Sequence, residues 1–137
     1  MTATEAAPGT RVIGQRLRRR EDPALLTGEA RYVADLVVPG ALHAVVVRST
    51  LAHARITSID VEAARSMPGV VAVFTGAVLQ GEWAGPLPCG WPVTADMKAP
   101  AHLPLAVGQV NYVGDGVAVV LARTEYQATD AAEAVIV

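Results

Sequence analysis

Cysteine is almost absent from this chain of 137 residues, which contains Cys89 alone. A single cysteine forms no disulfide within the chain and supplies too few thiolates for a zinc or iron–sulfur centre. Aromatic residues are also scarce, at 4% of the sequence. A folded core must therefore be built from Val, Ala, Leu and Ile, without disulfides or a Cys-ligated metal.

Charge is low in both signs, because charged residues make up 18% of the chain and its net charge is −2. Such a balance gives nucleic acid or an anionic membrane no strong general attraction. Hydrophobic residues reach 52%, above the roughly 45–50% of typical domains. This surplus predicts one ordered domain that buries part of its apolar surface against a partner.

No apolar run approaches the roughly 18 residues of a membrane-spanning helix. The basic cluster at residues 16–20 is followed by Glu21, Asp22 and Pro23, where an export signal has an apolar run. We therefore expect a cytoplasmic protein. The cluster is interpreted as a solvated basic arm, or else as a contact for an acidic partner surface.

We expect a flexible tail at 1–12 and one domain over 13–137. Asp22 is a plausible cap for a short helix at 23–26. Apolar runs predict strands at 31–36, 42–49, 54–59, 70–74, 107–113 and 117–122. The 42–49 strand carries apolar residues on both alternating faces, so it is expected to be covered on both sides.

Three helices are predicted between these strands. Asp60 caps the first, which ends at Pro68-Gly69, and Thr75 caps a short turn that ends near Leu79. Thr124 with Gln127 forms a capping box for the third, whose apolar face comprises Ala128, Ala131, Ala132 and Val135. The apolar end at 134–137 is typical of a strand interrupted before its continuation.

Residues 80–104 show neither helical nor strand periodicity and hold five of the nine prolines. A loop this long within a compact domain is usually functional or ordered by a partner. Trp83 and Trp91 both lie in it, and serve either for docking or as a lid folded over the core.

Residues of catalytic type are scattered. His43, His53 and His102 lack the converging spacing of a catalytic zinc site, so they are interpreted as structural. Ser49, His53 and Asp60 could be combined into a triad, but no nucleophile elbow accompanies them.

Two further motifs are weak. The Gly114-Asp115-Gly116 segment lacks the lysine and glycine spacing of a phosphate loop and is interpreted as a tight turn between strands. No base neighbours Cys89 that would make its thiol reactive. Lys98, the single lysine, faintly resembles the modified lysine of biotin and lipoyl carrier domains, which gives the alternative function of a carrier domain.

One ordered set of segments carries a more specific resemblance. It consists of 14–23, 26–35, 42–44 with 48–49, 52–56, 59–60, 67–70, and 112–114 with 117–120. In this order they resemble the N-terminal α/β-hammerhead domain of the large, molybdenum-binding subunit of the xanthine dehydrogenase/aldehyde oxidase/carbon monoxide dehydrogenase family. The Arg-x-Glu-Asp-Pro opening at 19–23 leans toward the carbon monoxide dehydrogenase branch.

The resemblance implies an α+β fold, with a mixed sheet, two main covering helices and the long Pro/Gly-rich loop. It implies a structural and docking domain of an oxidoreductase, with no catalytic, cofactor-binding or metal-binding residue in this chain, which alone is expected to be inactive. The molybdopterin-type cofactor belongs to the complete enzyme. The implied partners are the remaining molybdopterin-binding domains and the iron–sulfur and FAD subunits, and the isolated chain is expected to self-associate.

Overall fold

Glycines and prolines separate short apolar strands from short helices along this chain. The computed structural model describes residues 13–14, 18–88 and 94–137. Its elements are α1 (Asp22–Thr27), a 3-10 helix (Val33–Asp35), β1 (His43–Arg48), β2 (Ala54–Arg55), α2 (Glu62–Ser66), β3 (Val70–Thr75), α3 (Gly76–Leu79), β4 (Gln109–Val110), β5 (Gly116–Ala122) and α4 (Glu125–Glu133). Contacts divide the described residues into two compact units, one that ends at Pro39 and one that spans 40–137.

The first unit contains α1, which ends at Gly28 in a left-handed conformation with φ 75°. Asp22 is the first residue of this helix, and no side chain caps its start. The strand predicted at 31–36 is wrong, because a 3-10 turn occupies Val33–Asp35. The Asp35 carboxylate accepts the amide of Tyr32 at 2.8 Å. Such a local bond gives the backbone an alternative to strand pairing.

The second unit is built on a three-stranded sheet in the order β1-β5-β3. The strand β5 lies between the other two and runs antiparallel to both. Val120 pairs with Val45 on one side and Val73 on the other. Every described strand pair is antiparallel, where a mixed sheet was expected, because β5 separates the two strands that share a direction.

A second sheet consists of β2 and β4 alone, with Ala54 opposite Val110. The strands predicted at 54–59 and 107–113 are therefore longer than those observed. Gly108 and Gly114 have φ of 73° and 93°, a left-handed conformation that bends the chain out of a strand on either side of β4.

One face of the larger sheet is covered by helices. The core comprises Val61, Ala64, Val73, Ala118, Val120, Ala131 and Val135. Small residues on α4 let this helix approach the sheet closely, and Ala128 and Ala131 on it are buried. Val46 on β1 remains exposed, so the described residues of this chain do not supply the coverage of β1 expected on its second side. The helices cover the face that carries Val45 and Val47.

The predicted caps are realised in part. The Asp60 carboxylate accepts the amide of Glu62 at 3.0 Å, as expected, although Val61 occupies the N-cap position. Thr75 precedes α3 but makes no side-chain cap bond. Thr124 Oγ1 accepts the amide of Gln127 at 3.3 Å. The return bond of a capping box is missing, and Gln127 Oε1 is buried without a partner among the described residues.

Replacing Thr124 by Ala is expected to lower the free energy of unfolding by about 1 kcal/mol, because one amide at the start of α4 loses its acceptor. Thr129→Ala is the matched control. Thr129 Oγ1 donates to the Glu125 carbonyl inside the same helix, a bond that adds little to helix stability, so that change should be near neutral. Urea unfolding of both variants measures the difference. Equal losses would mean that the cap does not stabilise α4.

Candidate functional site

A polar cleft of about 480 Å³ lies at the smaller sheet of the second unit. Its polar lining comes from four places in the chain: Arg55, His102, Gln109, Asn111 and Asp115. Arg55 on β2 lies opposite Gln109 on β4, so the short sheet sets two of these residues side by side.

Hydrogen bonds fix one wall of the cleft. Gln109 Nε2 donates to Asn111 Oδ1 at 3.1 Å, and the amide of Asn111 donates to Asp115 Oδ2 at 3.0 Å. Asp115 is buried, and its carboxylate is already used to hold the turn. This wall is therefore held in place by its own hydrogen bonds.

Gly114 and Asp115 lie in the turn expected between strands, and Gly116 is the first residue of β5. The amide of Gly114 donates to the Ser49 carbonyl, and the amide of Ser49 donates to the Asp115 carbonyl, both at 2.8 Å. Arg48 Nη1 adds a bond of 2.9 Å to the Gly114 carbonyl. These bonds fasten the turn to the end of β1, and its amides do not converge on an open phosphate position.

His102 lies at the cleft wall and faces an aromatic neighbour. Its Nε2 lies 3.3 Å from Tyr112 Oη, with ring centroids 5.7 Å apart. Its carbonyl accepts the amide of Leu87 at 2.7 Å, which ties together two parts of the long 80–104 loop. His43 and His53 are exposed elsewhere. Within the described ranges, no three His, Cys, Asp or Glu side chains form a group that could hold a metal ion.

The candidate triad of Ser49, His53 and Asp60 has no catalytic geometry. Ser49 Oγ donates to the Leu51 carbonyl and accepts its amide, at 2.9 and 3.0 Å. The Asp60 carboxylate is engaged by the amide of Glu62. Both side chains therefore stabilise local turns, and neither orients a histidine.

Lys98 lies outside every helix and strand of the described chain. The carrier alternative requires a lysine at the tip of a hairpin of paired strands, so the structure does not support it. Nearby, a hydrogen bond from Thr94 lowers the pKa of Asp96, and a backbone bond adds to this effect.

Several of the remaining sequence candidates lie outside the described residues. These are Cys89 and Trp91, together with Arg16 and Leu17 of the basic cluster. Arg18, Arg19 and Arg20 are exposed, and Trp83 is half-buried.

A molybdopterin-type cofactor does not fit this cleft. Such a group carries a phosphate and a metal-bound dithiolene, and needs several amides or cations to hold it. Here the cations available at the wall are Arg55 and, when protonated, His102, while the buried Asp115 carboxylate adds negative charge. No step of a reaction is therefore assigned to these residues.

Sequence reasoning did not find this cleft, because its residues have no characteristic spacing. The Arg55–Gln109 pairing spans more than fifty positions and arises only when β2 meets β4. An alternating polar pattern around Gln109 and Asn111 was the available signal, and it predicts a strand face as readily as a cleft.

Comparison with known proteins identifies the fold. Residues 27–137 match the family described as aldehyde oxidase and xanthine dehydrogenase, a/b hammerhead domain. The chain belongs to this family. The resemblance drawn from the ordered segments is therefore confirmed, as is the α+β hammerhead architecture.

Relatives of the hammerhead domain are large subunits of oxidoreductases. The gamma subunit of the 6-hydroxypseudooxynicotine dehydrogenase complex from Paenarthrobacter nicotinovorans is 47% identical, over 90% of this chain and 16% of that protein. The carbon monoxide dehydrogenase large chain of Afipia carboxidovorans is 38% identical, over 98% of this chain and 16% of that protein. The chain thus spans about one-sixth of the length of these relatives, which are named as parts of larger complexes.

Solved structures give the same result. Quinoline 2-oxidoreductase from Pseudomonas putida 86 superimposes with a TM-score of 0.79 at 41% identity, over 90% of this chain and 15% of that one. The Cu,Mo-containing CO dehydrogenase superimposes with a TM-score of 0.74 at 35% identity, over 90% of this chain and 15% of that one. No helix in the described part of the hammerhead domain is long and apolar enough to cross a membrane.

Proposed function

We propose that this chain acts as a non-catalytic structural and docking domain of a molybdenum hydroxylase large subunit, located in the cytoplasm. The observation that carries the proposal is the family match over residues 27–137, in a chain that spans about 16% of its relatives. The complete enzyme then oxidises or hydroxylates a small substrate with oxygen derived from water.

The site geometry supports a structural role for the candidate polar residues. Asp115, Ser49 and Asp60 each use their side chains to hold local backbone. A catalytic acid, base or nucleophile needs a free lone pair or proton directed at a substrate position. The hydrogen bonds of these three groups stabilise the fold instead.

The proposed partners follow from the same membership. The remaining molybdopterin-binding domains of the large subunit are expected to carry the molybdenum cofactor, and separate iron–sulfur and FAD subunits to take the electrons. The relatives are named as complex subunits or large chains, which supports assembly in general. The exposed Ile136 at the chain end also favours self-association of the isolated chain.

Metal and flavin content of the purified 137-residue chain tests this proposal. We expect less than about 0.05 molybdenum atoms per chain by elemental analysis, because no described cleft has donors suited to the cofactor. The absorption spectrum should lack flavin bands, while the complete enzyme purified in parallel carries both. Stoichiometric molybdenum or flavin on the isolated chain would refute a purely structural role.

A further inference from the structure

The larger sheet has one face that the described helices of the second unit do not cover, here called the open face. Antiparallel pairing aligns it in two rows across the strands: Val46–Val119–Phe74 and Ala44–Leu121–Ala72. The intervening rows lie on the opposite face, where Val120, Ala118 and Val73 contact the helices. Residues that lie opposite each other in an antiparallel pair point to the same face of the sheet. Side chains along β5 alternate between faces, so Val119 and Leu121 lie on the open face, whereas Ala118 and Val120 lie on the face that the helices cover.

Burial differs sharply between these faces. Val120, Ala118, Ala122, Val73 and Thr75 on the helix-covered face are all buried. None of the six open-face residues is buried, and Val46 is 37% exposed. All six are apolar and none carries a charge, which is unusual for a sheet face in water, since antiparallel sheets normally alternate apolar and polar residues.

The end of the chain lies close to this face. Val137 lines a groove together with Val117 and Val110. Val117 belongs to a separate core with Ala106 and Val110, and lies two residues before Val119 on the same strand. Polypeptide that continues from Val137 therefore starts at a groove lined by Val117, which precedes the open-face residue Val119 by two positions on β5.

We propose that the open face is the surface on which the large-subunit polypeptide following residue 137 packs. This inference rests on the proposed function. The relatives are about six times as long as this chain, which covers 16% of their length, so a covering segment is available on the same polypeptide. A linked segment meets the face at an effective concentration of about millimolar, whereas a second copy must bind from solution.

The shape of the face specifies the chemistry of the segment. Ala44 and Ala72 flank Leu121, so this row forms a shallow apolar hollow on each side of one larger side chain. The neighbouring row carries the larger side chains of Phe74 and Val46 and therefore protrudes further from the sheet. An amphipathic helix or strand that presents branched aliphatic or aromatic side chains complements this surface, whereas a charged segment would be desolvated without a partner.

Thiol labelling of the assembled enzyme tests the proposal. Val46→Cys reports on the open face, and Tyr126→Cys on α4 is the control, because Tyr126 is 84% exposed on a helix at the opposite face. We expect a water-soluble maleimide to modify the thiol introduced at position 46 on the order of 100-fold more slowly than the thiol introduced at position 126, because burial limits access to the thiolate. Peptide mass spectrometry separates both sites from Cys89.

Comparable labelling rates for the two sites would overturn the proposal. Protection of the position-46 thiol that disappears on dilution would do the same, because it points to a second copy. Molybdenum content is measured on the same samples. A molybdenum-containing complex with rapid labelling at position 46 refutes the docking surface alone, whereas a complex without molybdenum refutes the proposed function. If Val46→Cys fails to assemble, hydroxyl-radical footprinting of the unmodified enzyme compares Phe74 with Tyr126, with the same expected protection and the same contrary result.

Discussion

Gly76→Ala is expected to lower the free energy of unfolding by about 3 kcal/mol, at the upper end of overpacking costs. Gly76 is buried at the junction of β3 and α3. A Cβ built there would overlap the backbone carbonyl of Ala106 and approach that of Leu105. These atoms are not free to move, because the amide of Ala106 donates to the Gly116 carbonyl at 2.7 Å.

Gly81→Ala is the matched control for this prediction. A Cβ at Gly81 meets no atom within 4 Å and its backbone is not left-handed, so the change should be neutral or stabilise by about 0.5 kcal/mol through the unfolded chain. Urea unfolding with an unchanged m-value gives both free energies. If the two glycines tolerate alanine equally, the close packing of the 105–106 segment against the sheet is incorrect.

Val120→Ala is expected to cost about 2–3 kcal/mol, because two methyl groups are lost from a fully packed position. Val120 has 0% exposure and lies at the centre of the sheet, between Val45 and Val73. The surrounding residues are mostly Ala and Val, whose short side chains cannot extend into the cavity. The corresponding fall in melting temperature is about 10 °C for a domain of this size.

Val71→Ala controls for the chemistry of the substitution. Val71 is on β3 but is 51% exposed, and it lies at the irregularity between Val70 and Ala72 where pairing with β5 shifts. Its replacement should cost less than about 0.5 kcal/mol. Thermal unfolding of both variants provides the comparison. A loss at Val71 as large as that at Val120 would place the core on the wrong face of the sheet.

The strongly patterned elements were predictable from sequence. The apolar run at 117–122 and the strand at 70–74 lie within one residue of β5 and β3. On the predicted apolar face of α4, Ala128 and Ala131 are buried and Ala132 is half-buried. Val135 is also buried but lies two residues beyond the end of the helix. In these segments the local pattern and the tertiary packing favour the same structure.

Other elements depended on contacts that a sequence does not display. The strand expected at 31–36 is replaced by a turn because one carboxylate bonds a nearby amide. Strands β2 and β4 are two residues long because left-handed glycines bend the chain around β4. Apolar residues on both sides of β1 predict burial on both sides, and the sequence does not show that the described residues of this chain cover only one of them.

The family could be recognised because its turn and cap residues occur in a fixed order, although each is weak alone. The candidate site could not be predicted from the sequence, since the cleft joins Arg55 to residues far along the chain. A site assembled from separate loops leaves no spacing to detect. That this chain contains no catalytic residue is a prediction that the structure and the comparisons do not test.

Dye reduction by the purified 137-residue chain tests the central claim most directly, which is that this domain supports an oxidoreductase without performing its chemistry. N-heterocycles and aldehydes serve as substrates and an artificial electron acceptor as the readout, with the complete enzyme as positive control. We predict no reduction above the rate of the heat-denatured chain. Reduction that increases in proportion to the concentration of the folded chain would contradict the account.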